Sequence, residues 1–295
     1  MRSTTLDASM LEACLAAATA APSIFNTQPW RFRLAPETVT LQVRAAPERG
    51  LRHVDPAGRA LHLSVGASVF NLRVAVARFG RRPVTRLLPS PEDPELLATV
   101  RLTGPASRSA TGHRGNLYEA IGRRHSSRFP FLDRPLPPPL CAELTEAARA
   151  EGAVLAFPAA AETDRLLRVT AEAEHRNRAD PDRGAESRRW IHRDRDALTD
   201  VGLAQAALGP QDAHEHLSMR DFTAQRHTER LAARPFETNP VIALLTTEHD
   251  RRANSTPHLI GHPQMLIRLG YGTEGPATPR RVTLLDTGPT GLHGD

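Results

Sequence analysis

Residues 21–32 combine local signals that constrain the fold of this 295-residue chain more than any other segment. An alanine-rich stretch with helical spacing ends at Pro22, and three short polar side chains follow. Apolar residues then alternate with polar ones at Trp30, Phe32 and Leu34, a period typical of a strand with one buried face. The polar residues between helix and strand are Ser23, Asn26 and Gln28. A polar loop of this kind, at the end of a sheet, could hold a flat ligand with polar edges.

The charged residues exclude sites that depend on lysine and argue against a nucleic-acid partner. Basic residues outnumber acidic ones by 38 to 33, and every basic residue is an arginine. A chain without lysine has neither a Schiff-base lysine nor the lysine of a P-loop. The arginines are interspersed with acidic residues, and aromatic residues make up only 4% of the chain. Because nucleic-acid sites need a basic stripe or stacking aromatics, we expect no nucleic-acid partner.

The cysteines and the N-terminal segment bear on the cellular compartment. Cys14 and Cys141 are too few for a disulfide framework or a zinc site, and both lie at apolar positions of helical patterns. We expect both thiols to be buried. The apolar N-terminal stretch contains Asp7 and Glu12, which fit an amphipathic helix better than a secretory signal. No apolar run reaches the ~20 residues that span a bilayer, so the sequence predicts a cytoplasmic protein without membrane contact.

Common cofactor and metal motifs are missing from the sequence. There is no Gly-x-Gly-x-x-Gly after a strand, no His-Glu-x-x-His and no Cys-x-x-Cys. His214 and His216 come nearest to a metal pair, but a spacing of two places them on different faces of a helix. We therefore expect no metal site.

The first half of the chain, about residues 1–112, predicts an alternation of helices and strands. The predicted elements are an N-terminal helix, a hairpin of strands over 30–34 and 39–44, a long helix after Gly58, and strands over 84–88 and 97–102. Apolar residues spaced by three or four give the long helix one buried face, formed by Val65, Val69, Leu72, Val76 and Phe79. A Gly- and Ser-rich stretch over 103–112 marks the midpoint.

The second half, about residues 113–295, follows a similar helix–strand plan without a strict sequence repeat. Helices are predicted over 115–124, 140–148 and 162–178, and strands over 153–157, 241–246 and 265–269. The mixture of hairpins and helices is typical of an α+β fold. The segment over 180–200, dense in Arg and Asp, predicts a solvated helix or flap, in which Trp190 either anchors the segment or covers a ligand.

A second chemically informative block follows the midpoint, where Arg124, Ser126 and Arg128 lie within five residues. Guanidinium groups give bidentate, charge-assisted hydrogen bonds to phosphate, and a hydroxyl adds a neutral donor. An ordinary basic helix end would have the same composition, because cations are favoured near a helix C-terminus. The residues alone leave both interpretations open.

Several segments together resemble the nitroreductase superfamily, and most closely its Acg-like, dormancy-associated branch. The loop over 21–32 is similar to the helix-to-strand flavin loop of that family, and Asp55-Pro56-x-Gly58-Arg59 with its following helix also matches. Residues 124–128 are similar to its Arg-Arg-Ser-x-Arg motif, with a histidine in place of the second Arg. Residues 261–272 resemble its closing strand, after which Arg280 or Arg281 would return to the FMN phosphate.

The resemblance implies an α+β nitroreductase-like fold over residues 1–295, built as a fused pseudo-dimer of two half-domains with one composite FMN site. It implies electron transfer from NAD(P)H to a two-electron acceptor such as a nitroaromatic or a quinone, with FMN supplying the redox chemistry and no catalytic side chain. The implied cofactor-binding residues are Pro22, Ser23, Asn26, Gln28, Arg124, His125, Ser126, Arg128, Arg280 and Arg281.

One segment departs from the family pattern. After the strand over 241–246 the family continues with a long apolar helix and another strand, whereas residues 248–260 of this chain are polar and interrupted by proline. An internal deletion there would remove a core helix, whose place a homodimer partner or another segment would cover. Three functions stay open: an FMN-dependent oxidoreductase, a non-catalytic protein that binds or sequesters FMN, and a remnant of the fold that binds no flavin.

Overall fold

The computed structural model describes residues 7–105, 117–192, 200–217, 232–248 and 262–272. Its helices are α1 (Ala8–Thr19), α2 (Arg59–Arg78), α3 (described over 117–123), α4 (Pro138–Ala150), α5 (Ala160–Ala179) and α6 (Pro181–Arg189). Its strands are β1 (Trp30–Ala35), β2 (Thr40–Ala45), β3 (Arg81–Leu87), β4 (Leu96–Pro105), β5 (Val154–Ala156), β6 (Ile191–His192), β7 (Leu203–Ala204), β8 (Gln211–Asp212), β9 (Ala233–Arg234), β10 (Val241–Thr247) and β11 (His262–Leu269). The combination of helices with antiparallel sheets confirms the predicted α+β class.

The first half builds a four-stranded antiparallel sheet in the order β1-β2-β4-β3. β1 and β2 form the predicted hairpin, with Trp30 opposite Ala45 and Leu34 opposite Leu41. α1 and α2 pack against each other, and α2 lies on the sheet. The almost fully buried side chains of this core include Phe32, Leu41, Val43, Val65, Leu72, Val76 and Val100. The apolar residues with strand periodicity and those with helix periodicity thus pack together in one core.

Polar side chains and a glycine begin the two core helices. The Asp7 carboxylate accepts a hydrogen bond from the Ser9 backbone N–H at 3.2 Å and caps α1. Gly58, just before α2, adopts a φ of 68°, a left-handed conformation that carries no side-chain penalty at glycine. The Asp55 carboxylate accepts from the Leu61 backbone N–H at 2.9 Å. These contacts direct the chain from the loop into α2.

Among the described residues, α2 has the length and composition of a helix that could cross a membrane, and half of its apolar stretch is buried inside the fold. The core helix of a globular fold has the same length and composition.

The second half builds a smaller antiparallel sheet in the order β11-β10-β5. β10 lies in the middle, where Leu244 pairs with Leu266 on one side and Ala156 on the other. α4 lies against β5, but none of its residues is buried. Met265 and Leu266 of β11 are 44% and 40% exposed. Within the described part of the chain, the second half therefore forms its predicted elements but buries only some of their apolar side chains, such as Leu155, Ile242 and Ala243.

Two expectations about burial are wrong, and a third holds only in part. Phe79, predicted on the core face of α2, follows the last residue of that helix and is 39% exposed. Cys141 is only half-buried because α4 has no buried face, whereas Cys14 is buried, and this burial raises the pKa of its thiol to about 12. The charged segment after residue 180, predicted as a solvated helix or flap, does form helix α6 with exposed residues such as Arg188 and Arg189, but Glu186 and Ser187 of that helix are buried.

Some predicted features lie outside the described residues, wholly or in part. They are the midpoint over 103–112, the apparent deletion over 248–260, and Arg280 and Arg281. β10 and β11, on either side of that deletion, pair directly with each other. The boundary between the halves and their relation as a pseudo-dimer stay predictions.

Candidate functional site

The loop after α1 has a backbone that non-glycine residues rarely adopt. Phe25, Asn26 and Gln28 have φ angles of 51°, 54° and 49°. Each such residue costs of order 1–3 kcal/mol and persists only where surrounding contacts hold it, and such conformations cluster at ligand sites. The loop that the sequence singles out is therefore a strained segment that the rest of the fold must keep in place.

Hydrogen bonds from two sources hold this loop. Within it, the Ser23 hydroxyl accepts from the Gln28 backbone N–H at 3.0 Å. From outside, the Asn26 side-chain amide donates to the Gly202 carbonyl at 3.0 Å, and the Gly202 N–H donates back to the Asn26 carbonyl at 3.1 Å. The Gln28 side-chain amide donates to the carbonyl of Asp200. Both amides that were expected to contact a ligand thus bind the main chain of residues 200–202.

The arginine motif and the loop meet at one small cleft, although about a hundred residues separate them in the sequence. The cleft has a volume of about 40 Å³. Its polar lining residues are Thr19, Ser23, Asn26, Arg124, Ser126 and Arg128, and its other lining residues include Ala20, Ala21 and Pro22. The structure therefore brings together the two motifs that the sequence could identify only separately.

Bonds to main-chain carbonyls orient both arginines at this cleft. Arg124 donates to the Ala20 carbonyl at 3.3 Å and to the Ser126 hydroxyl at 3.1 Å. Arg128 donates to the Ala207 carbonyl at 3.1 Å. A guanidinium group carries five N–H donors in a planar fork, which matches the oxygens of a phosphate. The cleft thus presents two cations and hydroxyl donors, a donor set suited to a phosphate dianion.

Of the other predicted site residues, the two that the structure describes do not line the cleft. His125 is exposed and does not line it. Gln28 is buried at 1% exposure and also lies outside the lining, where it supports the loop through its bond to residue 200. Arg280 and Arg281 fall outside the described residues. Their roles as ligand contacts stay predictions.

A larger pocket of about 620 Å³ adjoins the cleft, and Pro22 and Ser23 line both. Its volume lies within the ~300–1,000 Å³ typical of small-molecule sites. The apolar lining residues include Ile24, Phe25, Val54, Leu63, Ala67, Met265 and Leu266, whereas α5 and α6 contribute Thr170, Glu174, Asn177, Arg183 and Ser187. The pocket therefore has a mainly apolar side and a polar side.

The charged residues of the larger pocket balance one another. They are Asp55, Arg59, Glu174 and Arg183. Arg59 donates to the Pro263 carbonyl and to the Gln264 side-chain carbonyl, both at 3.1 Å, and so connects α2 with β11. Arg183 donates to the Asn177 side-chain carbonyl at 2.6 Å. Over the described part of the chain, no group of three or more His, Cys, Asp or Glu side chains is arranged to hold a metal ion.

Glu186 is a functional candidate that the sequence did not reveal. The residue is 8% exposed, and its carboxylate accepts hydrogen bonds from the backbone N–H groups of His53 and Val54 at 3.0 and 2.8 Å. An acidic residue in a run of alternating charges predicts a solvated face, and no local spacing signals its burial. Next along the chain from α6, Trp190 packs against a small cluster that contains Phe25 and Leu203.

Glu237 and Arg268 form a second polar contact that the sequence did not reveal. The Glu237 carboxylate accepts from the Arg268 guanidinium and from the Phe131 backbone N–H, the latter at 2.9 Å. Burial raises the pKa of Glu237, but the Arg268 bonds and the Phe131 N–H outweigh it and leave the pKa below its usual value. Arg268 also donates to the Phe129 carbonyl at 2.9 Å. This ion pair holds the chain just after the arginine motif against β11.

The family model described as "Nitroreductase family" matches residues 2–95 of this chain. The matched region includes the loop over 22–28 and α2, and it ends before the arginine motif at residues 124–128.

Three curated relatives come from Mycobacterium tuberculosis strain H37Rv. Rv3131, named as a proposed NAD(P)H nitroreductase, is 35% identical over 167 residues, which are 57% of this chain and 46% of Rv3131. Acg, with the same kind of name, is 33% identical over 135 residues, 46% of this chain and 40% of Acg. Rv3127, named only as uncharacterized, is 29% identical over 251 residues, 83% of this chain and 71% of Rv3127. The chain thus spans less than half the length of Rv3131 and Acg.

A solved nitroreductase-family protein from Streptococcus pneumoniae TIGR4 overlaps 36% of this chain and 84% of its own, at 14% identity and a TM-score of 0.28. The similarity to the nitroreductase family therefore rests on the family model and the M. tuberculosis relatives. These confirm the predicted relationship to the nitroreductase superfamily and its Acg-like branch.

Proposed function

We propose that this chain, which carries a nitroreductase-family domain over residues 2–95, is an FMN-dependent oxidoreductase that uses NAD(P)H to reduce a two-electron acceptor such as a nitroaromatic or a quinone. The supporting observation is the shared cleft, where Ser23 and Asn26 of the matched domain meet Arg124, Ser126 and Arg128 of the second half. Two distant segments with phosphate-binding chemistry converge next to a pocket of ligand size.

The residues at the cleft fit the phosphate end of FMN by their chemistry. Arg124 and Arg128 would neutralise the phosphate charge, and Ser126 and Ser23 would contribute hydroxyl donors. We expect a bound phosphate to replace the bond between Arg124 and the Ser126 hydroxyl, because its oxygens would accept from both donors.

The adjoining pocket offers room for the flavin ring system and for the molecules that react with it. When bound, FMN would supply the two-electron redox chemistry. The chain's own task is then to anchor the phosphate, to hold the strained loop, and to exclude water through α5 and α6. Asn26 and Gln28 hold the strained loop, since their side chains donate hydrogen bonds to the main chain of residues 200–202. No side chain is assigned as a catalytic acid or base.

Purification with added FMN tests the proposal directly. The protein is desalted, its absorbance is recorded in the flavin bands, and NADPH is then added without oxygen. A retained flavin spectrum that bleaches supports the oxidoreductase. A retained spectrum that persists identifies a flavin-binding protein without this activity, and a protein without flavin contradicts both.

Arg128→Ala tests the assignment of the phosphate site. Loss of a charged hydrogen bond costs about 1.5–3 kcal/mol, so we expect FMN affinity to fall about 10- to 150-fold. The measurement is a fluorescence titration of FMN with apoprotein. Arg123→Ala removes the same charge from an exposed neighbour outside the cleft and should leave the affinity within about twofold. Equal affinities of the two variants would contradict the assignment.

A non-catalytic protein that binds or sequesters FMN is the second candidate, and one observation favours it. α5 and α6 form one side of the larger pocket, and residues 200–202 occupy both amides of the flavin loop. Coverage of this kind would hold a flavin away from reactants. A sequestering protein should therefore bind FMN tightly, and NADPH should bleach its flavin absorbance only slowly. In an oxidoreductase, NADPH bleaches the flavin within the turnover time of the enzyme.

A further inference from the structure

We propose that Glu186 is a positioning residue that holds two walls of the 620 Å³ pocket together. One wall is the turn before α2, where Val54 and Asp55 line the pocket. The other is α6, where Ser187 lines it. Glu186 lies directly before Ser187, and its carboxylate takes the backbone N–H groups of His53 and Val54 on a single oxygen.

Because Glu186 is buried, its carboxylate needs hydrogen-bond partners within the protein. A buried carboxylate that lacks partners is strongly unfavourable, whereas charge-assisted bonds to backbone N–H groups are among the stronger hydrogen bonds in proteins. The distances of 3.0 and 2.8 Å are those of well-formed bonds. Separation of α6 from the turn would expose the two N–H groups and the carboxylate together. The carboxylate therefore favours one spacing between the walls.

The chain around α6 has a second attachment besides the Glu186 bonds. α6 and α5 pack on each other. The chain beyond α6 is held by Trp190, which packs against the cluster of Phe25, Leu51, Leu203 and Leu208 and whose carbonyl accepts from the Leu203 N–H at 2.8 Å. Trp190 fixes the far end of the segment, and Glu186 fixes the helix beside the pocket. Loss of the Glu186 bonds should therefore widen the pocket and leave the Trp190 cluster packed.

The effect on a ligand rests on the proposed function, because it takes FMN as the occupant of the pocket. The effect on the two backbone N–H groups does not. The experiment therefore measures both, in apoprotein and in FMN-loaded protein, for Glu186→Ala and Glu186→Gln. Glu172→Ala on α5 is the matched control, because its side chain is 71% exposed and pairs with an equally exposed Arg176.

Amide hydrogen exchange at His53 and Val54 is the first readout, made on apoprotein. Loss of the charged bonds should accelerate exchange there by about 10- to 100-fold in Glu186→Ala. Glu186→Gln keeps a side-chain carbonyl that accepts both N–H groups and should restore part of the protection. The Glu172 control should match the wild type. Unchanged exchange at both amides would overturn the proposal. An equal acceleration of exchange in β2 and β4 would also overturn it, because it would show a general loss of stability.

The dissociation rate of FMN, followed by recovery of flavin fluorescence, is the second readout. We expect Glu186→Ala to release FMN about tenfold faster, Glu186→Gln to lie between that variant and the wild type, and Glu172→Ala to be unchanged. Faster local exchange with unchanged FMN release would overturn the pocket role. A wild-type protein that binds no FMN contradicts the proposed function, and the exchange result then decides by itself whether Glu186 holds the walls.

Discussion

The two halves of this protein use similar elements but are stabilised in different ways. In the first half, α1 and α2 cover a four-stranded sheet, and the buried core extends from Met10 to Leu102. In the second half, α4 has no buried residue, and β11 leaves Met265 and Leu266 about two-fifths exposed. There the Glu237–Arg268 ion pair connects segments that apolar contacts hold only in part. Apolar spacing is thus enough to form a helix or a strand, but a second apolar layer is needed to form a core.

Glu237→Ala tests the second half with the largest expected effect. Removal of one partner from a buried ion pair leaves the other charge unpaired and costs about 3–5 kcal/mol. We expect this loss in the free energy of unfolding from urea titrations, with faster amide exchange in β10 and β11 than in β2 and β4. Glu48→Ala, which breaks the exposed Arg31–Glu48 pair, is the control and should cost about 1 kcal/mol or less.

The contribution of Glu237 to the stability of the second half should depend on pH. The pKa of Glu237 is lower in the folded protein than its usual value, since the Arg268 bonds and the Phe131 N–H outweigh the effect of burial. Its contribution is therefore complete above the unfolded pKa of about 4.3 and is lost as pH falls through the lower folded pKa. Urea midpoints of the wild type and Glu237→Gln should converge below pH 4. Parallel curves down to that pH would contradict this role.

Leu72→Ala tests the first half. Leu72 is fully buried between α2 and the sheet, so truncation should lower the free energy of unfolding by about 2–5 kcal/mol through lost burial and a cavity. Leu266→Ala is the matched change in the second half. Because Leu266 is 40% exposed, its truncation should cost about 1 kcal/mol or less. Equal losses in urea titrations would mean that the second half has a core comparable to that of the first.

Asp93→Asn should give the smallest loss in the free energy of unfolding, and it measures what a surface ion pair contributes to the first half. Arg44 donates to both Asp93 oxygens, at 2.7 and 2.8 Å, and this pairing lowers the pKa of the carboxyl. Both side chains remain partly exposed, so we expect a loss of only about 0.2–1 kcal/mol. The loss should vanish in 1 M salt, where the screening length is about 3 Å. A larger, salt-independent loss would show that the pair supports the first half as buried contacts do.

Much of the fold follows from the sequence because its signals are local. The hairpin of β1 and β2, the α2 stripe and the Asp55–Gly58 turn depend on residues within a few positions of one another. The loop at Ser23 and the motif at Arg124 were also identifiable, since each has a short and chemically specific pattern. Phe79 and Cys141 were misplaced because periodicity indicates which face of a helix is apolar and not whether another layer covers it.

Local patterns in the sequence predicted the α+β class, the principal helices and strands, and the two motifs with chemistry suited to a phosphate. The folded structure added that these motifs share one cleft, that residues 200–202 hold the amides of Asn26 and Gln28, and that Glu186 is buried. The range of the interactions explains this difference. Helix and strand periodicity arises within one or two turns of chain, whereas a buried carboxylate is satisfied by N–H groups more than a hundred residues away.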